Sequence, residues 1–188
     1  MPAKLDLSKK HAAEYVTPKI PTLVTVGPAL YLAISRTGKP GGPEFQEAIG
    51  ALYNVAFTIK MARKFAGKDY AISKLEGLWP TWESWTLIIR TPDFITARDR
   101  AAALATLAKR KKGPLVEQVK LEKLKEGLCV QMLHVGPYSD EPATVAAMHD
   151  FAKSRGLKLH GLHHEIYLSD PRRVKAEKLK TILRQPVR

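Results

Sequence analysis

Glu165 and Tyr167 stand two residues apart in "HHEIYLS", which begins at His163. The stretch is rich in aromatic and β-branched residues and reads as a strand. Side chains alternate along a strand, so His163, Glu165 and Tyr167 share one face, and His164, Ile166 and Leu168 share the other. Ile166 and Leu168 suit a core, which leaves the carboxylate, the phenol and His163 for an accessible face. Packing explains such a pair poorly, and the alternative is an exposed acid in a surface salt bridge. A carboxylate held there attracts a cation or takes a proton from water. A phenol beside it donates a hydrogen bond to an oxygen on which negative charge develops, or holds the water.

A second concentration lies in "KLEGLWPTWESW", from Lys74 to Trp85, which holds all three tryptophans and two glutamates. Aromatic faces attract cations, and a nearby carboxylate adds charge, so Glu76 with Trp79, Trp82 and Trp85 reads as an aromatic box with an acid in it. The competing reading is the edge of a core. Strict alternation separates Glu76 from Trp79. Pro80 has no N–H to donate to a ladder, so a turn or bulge after Trp79 is expected to bring both inward. Trp79 is the tryptophan expected to line a pocket, and Glu83 is a loop carboxylate. Tyr53 and Tyr138 are candidate wall residues, each equally readable as a structural tyrosine.

Other chemistries lack their spacing. His163 and His164 point to opposite faces of a strand and do not share an ion, and "HGLHHE" is not the helical H-E-x-x-H pattern, so no metal is expected. "RTGKPGG" lacks the phosphate-loop spacing, and no cofactor is expected. The lone cysteine, Cys129, sits in the apolar run "LCVQML" as a small hydrophobe rather than a nucleophile. The formal charge of +13 invites a nucleic-acid reading. The cations concentrate in "KRKKG" and in the tail from Arg172, without zinc-finger spacing or an RNP motif, so solvated basic faces are expected rather than specific nucleic-acid binding. No apolar run approaches the roughly 20 residues of a membrane helix, and the first residues lack a signal-peptide core. A cytoplasmic protein without a membrane partner is expected.

The elements that would position these residues repeat. "ALYLAIS" is a strand. Gly42 and Pro43 open a helix whose apolar positions run from Phe45 to Ile59 and which ends near Gly67. "YAISKLEGLW" and "WTLIIRT" supply two strands. The order recurs: the strand "GLCVQMLHVG", a helix capped by Ser139 or Asp140 and closed by Gly156, then the strands "LKLHGLHHEIYLS" and "KLKTILRQPV". Between the halves, Thr96 and Asp99 form a capping box at the start of a helical connector that Gly113 and Pro114 close, with a short strand expected around Leu115–Leu121. The chain is expected to be one domain over 1–188, with pseudo-repeats at about 22–91 and 122–188 and the connector at about 92–114. The fold class is α+β: duplicated β-α-β-β units forming a joined antiparallel sheet, with helices on one side and a central ligand cavity. Lining up the halves makes Glu76 the counterpart of Glu165.

With "YVTPKIP", "RTGKPGGPEF", "LYNVAFTIK", "KLEGLW", "GLCVQMLHVGPYSDE" and "HHEIYLSDPRR", the chain resembles the GyrI-like small-molecule-binding family over about residues 15–187. The resemblance implies a duplicated βαββ (SHS2) fold, similar to the drug-binding domains of multidrug-responsive activators, around a cavity lined by an acid and aromatic side chains. Some stand-alone members are hydrolases that open the cyclopropane ring of DNA-alkylating natural products, others bind ligands without chemistry, and others inhibit DNA gyrase. Carried onto this chain, the resemblance implies a small-molecule ligand, flat and aromatic or cationic. Glu165 is then the base and Tyr167 its hydrogen-bond partner if the protein is a hydrolase. The enzyme and the binder need the same pocket, so both readings stay open, with gyrase as an alternative partner and the chain a monomer or a homodimer.

Overall fold

The computed structural model describes residues 4–188. Among the described residues, eight strands and five helices follow one another. The strands are β1 (Thr22–Val26), β2 (Ala29–Thr37), β3 (Leu75–Thr81), β4 (Ser84–Thr91), β5 (Lys120–Leu124), β6 (Gly127–Val135), β7 (His163–Tyr167) and β8 (Lys180–Pro186). The helices are α1 (Leu7–Lys10), α2 (Ala12–Tyr15), α3 (Pro43–Phe65), α4 (Ala97–Lys109) and α5 (Glu141–Ser154). The order strand, helix, strand, strand occurs twice, as β2-α3-β3-β4 and as β6-α5-β7-β8. The class is α+β, and the strand ladders described below are antiparallel.

Two compact units are built from interleaved segments. The first holds residues 4–10, Ala29–Ser73 and Pro80–Leu124. Its strands run in the order β4-β2-β5. The cross-strand pairs Leu32↔Ile89 and Ile34↔Leu87 are buried with Leu52, Val55 and Ile59 of α3, which packs on β2 and β4. Pro43 stands at the first turn of α3, where its missing N–H costs nothing. Thr96 and Asp99 close a reciprocal capping box at the start of α4. The strand expected around Leu115–Leu121 is instead a 3-10 turn, Pro114–Gln118, followed by β5. Proline presets a turn at that point and delays the ladder.

The second unit holds His11–Pro28, Lys74–Trp79 and Lys125–Arg188. Its strands run β1-β6-β8-β7 and then the Leu75–Trp79 part of β3. Helix α5 covers one face of this sheet. Met148 and Ala152 pack with Val130, Leu183 and Val187. The other face is closed by the chain from α2 onward, where Tyr15 packs on Ile166 and Ile182. Gly156 takes a positive φ of 69° just after α5, the left-handed position that ends many helices.

Candidate functional site

Strand register in the second unit decides which side chains meet. Gly77 lies across from Glu165, and Trp79 across from His163. Leu183 and Thr181 lie across from Glu165 and Tyr167. Directly paired residues share a face, so Gly77, Trp79, His163, Glu165, Tyr167, Thr181 and Leu183 all stand on the α5 side. His163, Glu165 and Tyr167 share a face as alternation requires.

On that face the Tyr167 hydroxyl donates to Glu165 Oε2 at 2.8 Å. The Trp79 indole stands beside the same phenol and favours its ionised form, a smaller influence than burial or Glu165. His163 Nε2 lies 3.5 Å from Glu165 Oε1. Tyr138 sets its ring edge-on to Tyr167, with centroids 6.1 Å apart and planes at 83°. Burial, and then the charge of Glu165, hold the Tyr167 phenol well above its ordinary range. Burial also pushes Tyr138 up to about 12, helped by the charges of Glu141 and Glu165. Both phenols therefore remain donors at neutral pH.

Glu141 joins this group from the first turn of α5. Its residue is only 7% exposed. The helix N-terminus favours an ionised acid by about 0.3–1 kcal/mol. Burial outweighs that, and the charge of Glu165 and hydrogen bonding to it act in the same direction, lifting Glu141 to about 9. Glu141 therefore keeps its proton near neutrality. One carboxyl oxygen of Glu141 has no hydrogen-bond partner.

Gly77 makes the close approach possible. A Cβ on Gly77 would stand 2.8 Å from the Tyr167 hydroxyl and 3.0 Å from Trp79 Nε1. The site therefore needs an open backbone position opposite Glu165.

Glu76 lies elsewhere. Strand β3 continues through Pro80 to Thr81, and its pairing with β7 is regular from Glu76 to Trp79. Alternation is preserved, and Glu76, paired with Ile166, faces away from Trp79 and Glu165. The expectation that both would turn inward is corrected. Glu76 instead joins a buried polar network with His164, Glu126 and Arg184. His164 Nε2 is 2.9 Å from Glu76 Oε2, and its Nδ1 is 2.9 Å from Glu126 Oε1. Arg184 donates to Glu126 Oε2, to Gln131 Oε1 and to the Glu14 carbonyl. Tyr15 donates to Glu76 Oε1 at 3.2 Å. Burial alone would lower His164. The charge of Glu126 and hydrogen bonds to Glu126 and Glu76 outweigh it and raise the imidazole to about 9. Burial likewise opposes ionisation of Glu126, but His164 and Arg184 prevail and hold it down to about 2. Two carboxylates thus face two cations, and the buried charge balances.

The remaining candidates belong to the first unit. Trp85 is a core residue, its indole donating to the Gly38 carbonyl at 3.1 Å and its ring T-shaped against Phe45 with centroids 4.9 Å apart. Trp82 occupies the turn after β3 and is 75% exposed. Tyr53 stands on α3 with its ring 6.0 Å from Phe57. Cys129 is buried and its thiol is pushed up to about 12 by burial, which makes it a poor nucleophile.

Sequence reasoning missed Glu141, Gly77 and Thr181, and it missed the charged cluster around His164. Glu141 was concealed in a helix-start motif, where an acid is ordinary. The His164 cluster left one signal, a histidine alternating with Ile166 on a face assigned to the core.

A crystal structure of a hydrolase from Listeria innocua is 39% identical, with a TM-score of 0.91, covering 98% of this chain and 100% of its own. An uncharacterized conserved protein from the same organism is 38% identical, with a TM-score of 0.90 and the same coverages. The C-terminal domain of EcmrR shares 12% identity over 89% of this chain and 96% of its own, with a TM-score of 0.59, and so shares the fold. No curated protein matches the chain. The model of the GyrI-like small molecule binding domain matches residues 21–188, and the chain belongs to that family.

Proposed function

We propose that the Glu165 face of the second unit binds flat aromatic or cationic small molecules and adds water to cyclopropane-bearing electrophiles among them. The observation that carries this reading is the hydrogen bond from Tyr167 to Glu165 with the Trp79 indole beside it and a proton-bearing Glu141 next to the carboxylate. It supplies an aromatic wall, a base and two donors within one site. The likeness to a Listeria protein named as a hydrolase supports the enzyme reading.

The chemistry balances as a hydration. Glu165 takes a proton from water as the water oxygen bonds to a ring carbon. The strained C–C bond breaks, and its electron pair moves into the substrate's conjugated carbonyl. The developing oxyanion accepts a hydrogen bond from Tyr167 and a proton from Glu141. Glu165 then passes the proton it took to Glu141, which restores both carboxyl groups and leaves a product one water heavier. A carboxyl group that keeps its proton beside one that accepts a proton divides the acid and base roles in this way.

The test is incubation of substoichiometric protein with a cyclopropane-bearing aryl ketone, followed by mass spectrometry. Many equivalents of a product one water heavier per protein are expected. Stoichiometric protection of the ketone without that product would instead make the protein a binder. The same binding face serves that second reading, because an acidic group beside aromatic rings holds a cation without any chemistry. Among the described residues no helix is long and apolar enough to cross a membrane, and we place the protein in the cytoplasm, where DNA-alkylating compounds act.

A further inference from the structure

The first unit carries a cavity of about 430 Å³ between α3 and α4. Phe57, Met61 and Phe65 line one wall at helical spacing, and Leu107, Arg110 and Lys112 line the other. The volume falls within the roughly 300–1,000 Å³ of small-molecule sites. Phe65 is 81% exposed, so this helix presents an apolar stripe roughly 12 Å long to solvent.

The two cations are placed there by an unusual turn. Lys111 adopts a φ of 52°, a left-handed conformation that usually falls to glycine. Its N–H bonds to the Ala108 carbonyl, and the Lys112 N–H bonds to the Leu107 carbonyl. These are the two bonds of a Schellman cap, and they fold Lys112 back over the end of α4 onto the cavity wall. Neither Arg110 nor Lys112 has an ion-pair partner among the described residues. The helix end contributes only about half a negative charge, and the cap already satisfies its carbonyls, so two full positive charges dominate the rim.

We infer that this groove is a second binding site, for a small amphiphilic anion with an apolar body and one carboxylate or sulfonate head. The body lies along Phe57, Met61 and Phe65, and the head meets Arg110 and Lys112. A second copy of the chain is a poor occupant, because it would bring a like-charged rim against this one. The site is independent of the Glu165 face and takes ligands of opposite charge.

The test uses the full chain and the fluorescent arylsulfonate 1-anilinonaphthalene-8-sulfonate. Saturable binding is expected, displaced by dodecanoate but not by dodecyltrimethylammonium. Arg110→Glu combined with Lys112→Glu should weaken the dye about tenfold or more, as loss of charge-assisted contacts does. Both positions are exposed, so folding should survive. Phe57→Ser, also at an exposed position, should weaken it as well. Dodecanoate should raise the Tm of the parent protein and not of the charge-reversed variant. Equal displacement by the cationic amphiphile would overturn the inference, and so would unchanged affinity in the charge-reversed protein. Loss of dye binding in Glu165→Gln would place the dye at the carboxylates and have the same effect. A concentration-dependent dimer that excludes the dye would assign the groove to a second copy instead.

Discussion

Tyr167 connects the aromatic and acidic halves of the candidate site, because its hydroxyl stands beside the Trp79 indole and donates to Glu165 at 2.8 Å. Tyr167→Phe removes that donor and leaves the ring, so turnover should fall by less than in a variant lacking the base. A Tyr167→Phe protein slower than Glu165→Gln would make the phenol the principal group. Trp79→Ala should weaken a planar cationic dye by about 1 kcal/mol or more, read as quenching of the remaining fluorescence or by displacement. Unchanged affinity would remove Trp79 from the site. Glu141 has to hold its proton to act as an acid. Its pKa of about 9 means that the rate should decline as pH rises through that value. A Glu141→Gln variant should lose this alkaline limb while retaining ligand. Gly77→Ala would press a methyl group against the Tyr167 hydroxyl at 2.8 Å. Activity should fall, and stability should drop by about 1–3 kcal/mol as in other overpacked sites. Alternation along "HHEIYLS" makes Glu165 and Tyr167 legible as a pair from the sequence. Glu141 is not legible, because its role comes from a neighbour 24 residues away that only the sheet brings close.

Strands β3 and β7 are held in register from behind the site. Glu76 and His164 hydrogen-bond on the face opposite Glu165, and Gly77 and Glu165 are the next residues along each strand. Removing one member of such a buried charged cluster leaves its partners unpaired, at a cost of about 3–5 kcal/mol. His164→Leu should therefore lower the denaturation midpoint by far more than Glu165→Gln, whose position is partly open to solvent. An equal effect from both would assign the network no special structural weight.

The pH dependence of stability follows from two shifts. His164 has a folded pKa of about 9 against an ordinary 6.5. Its contribution is complete below 6.5 and is lost as pH rises through 9. Glu126 has a folded pKa of about 2 against an ordinary 4.5. Its contribution is complete above 4.5 and is lost as pH falls through 2. The network should stabilise most between about pH 4.5 and 6.5, and urea midpoints measured across pH check this. At this scale the sequence was readable where periodicity rules. The start of α3 at Pro43, the capping box of α4 and the core alternation of β7 all follow from spacing. It was unreadable where tertiary contact overrides a local rule. Pro80 stays within β3 although proline interrupts most ladders, and this misplaced Glu76.

Over the whole chain, the twofold strand-helix-strand-strand order was visible in composition and turn residues. The interleaving of segments was not. Strand β1 pairs with β6, and β5 pairs with β2, so the two units exchange sequence. Such long-range pairing leaves no local pattern. The net charge of +13 belongs to this scale too. Dispersed lysines release counterions without reading bases, so duplex DNA should bind weakly and be lost as salt rises. Tight, sequence-selective binding at physiological salt would contradict that expectation.

The central claim is that Glu165 is the base of a water-adding site, and its most direct measurement is the turnover of Glu165→Gln at saturating substrate. The substitution keeps size and some hydrogen bonding and removes the base. Ligand binding should persist for a neutral substrate, and turnover should fall by about 100-fold or more, the usual range for a general base. A folded Glu165→Gln protein that binds substrate and turns it over at the parent rate would contradict the account.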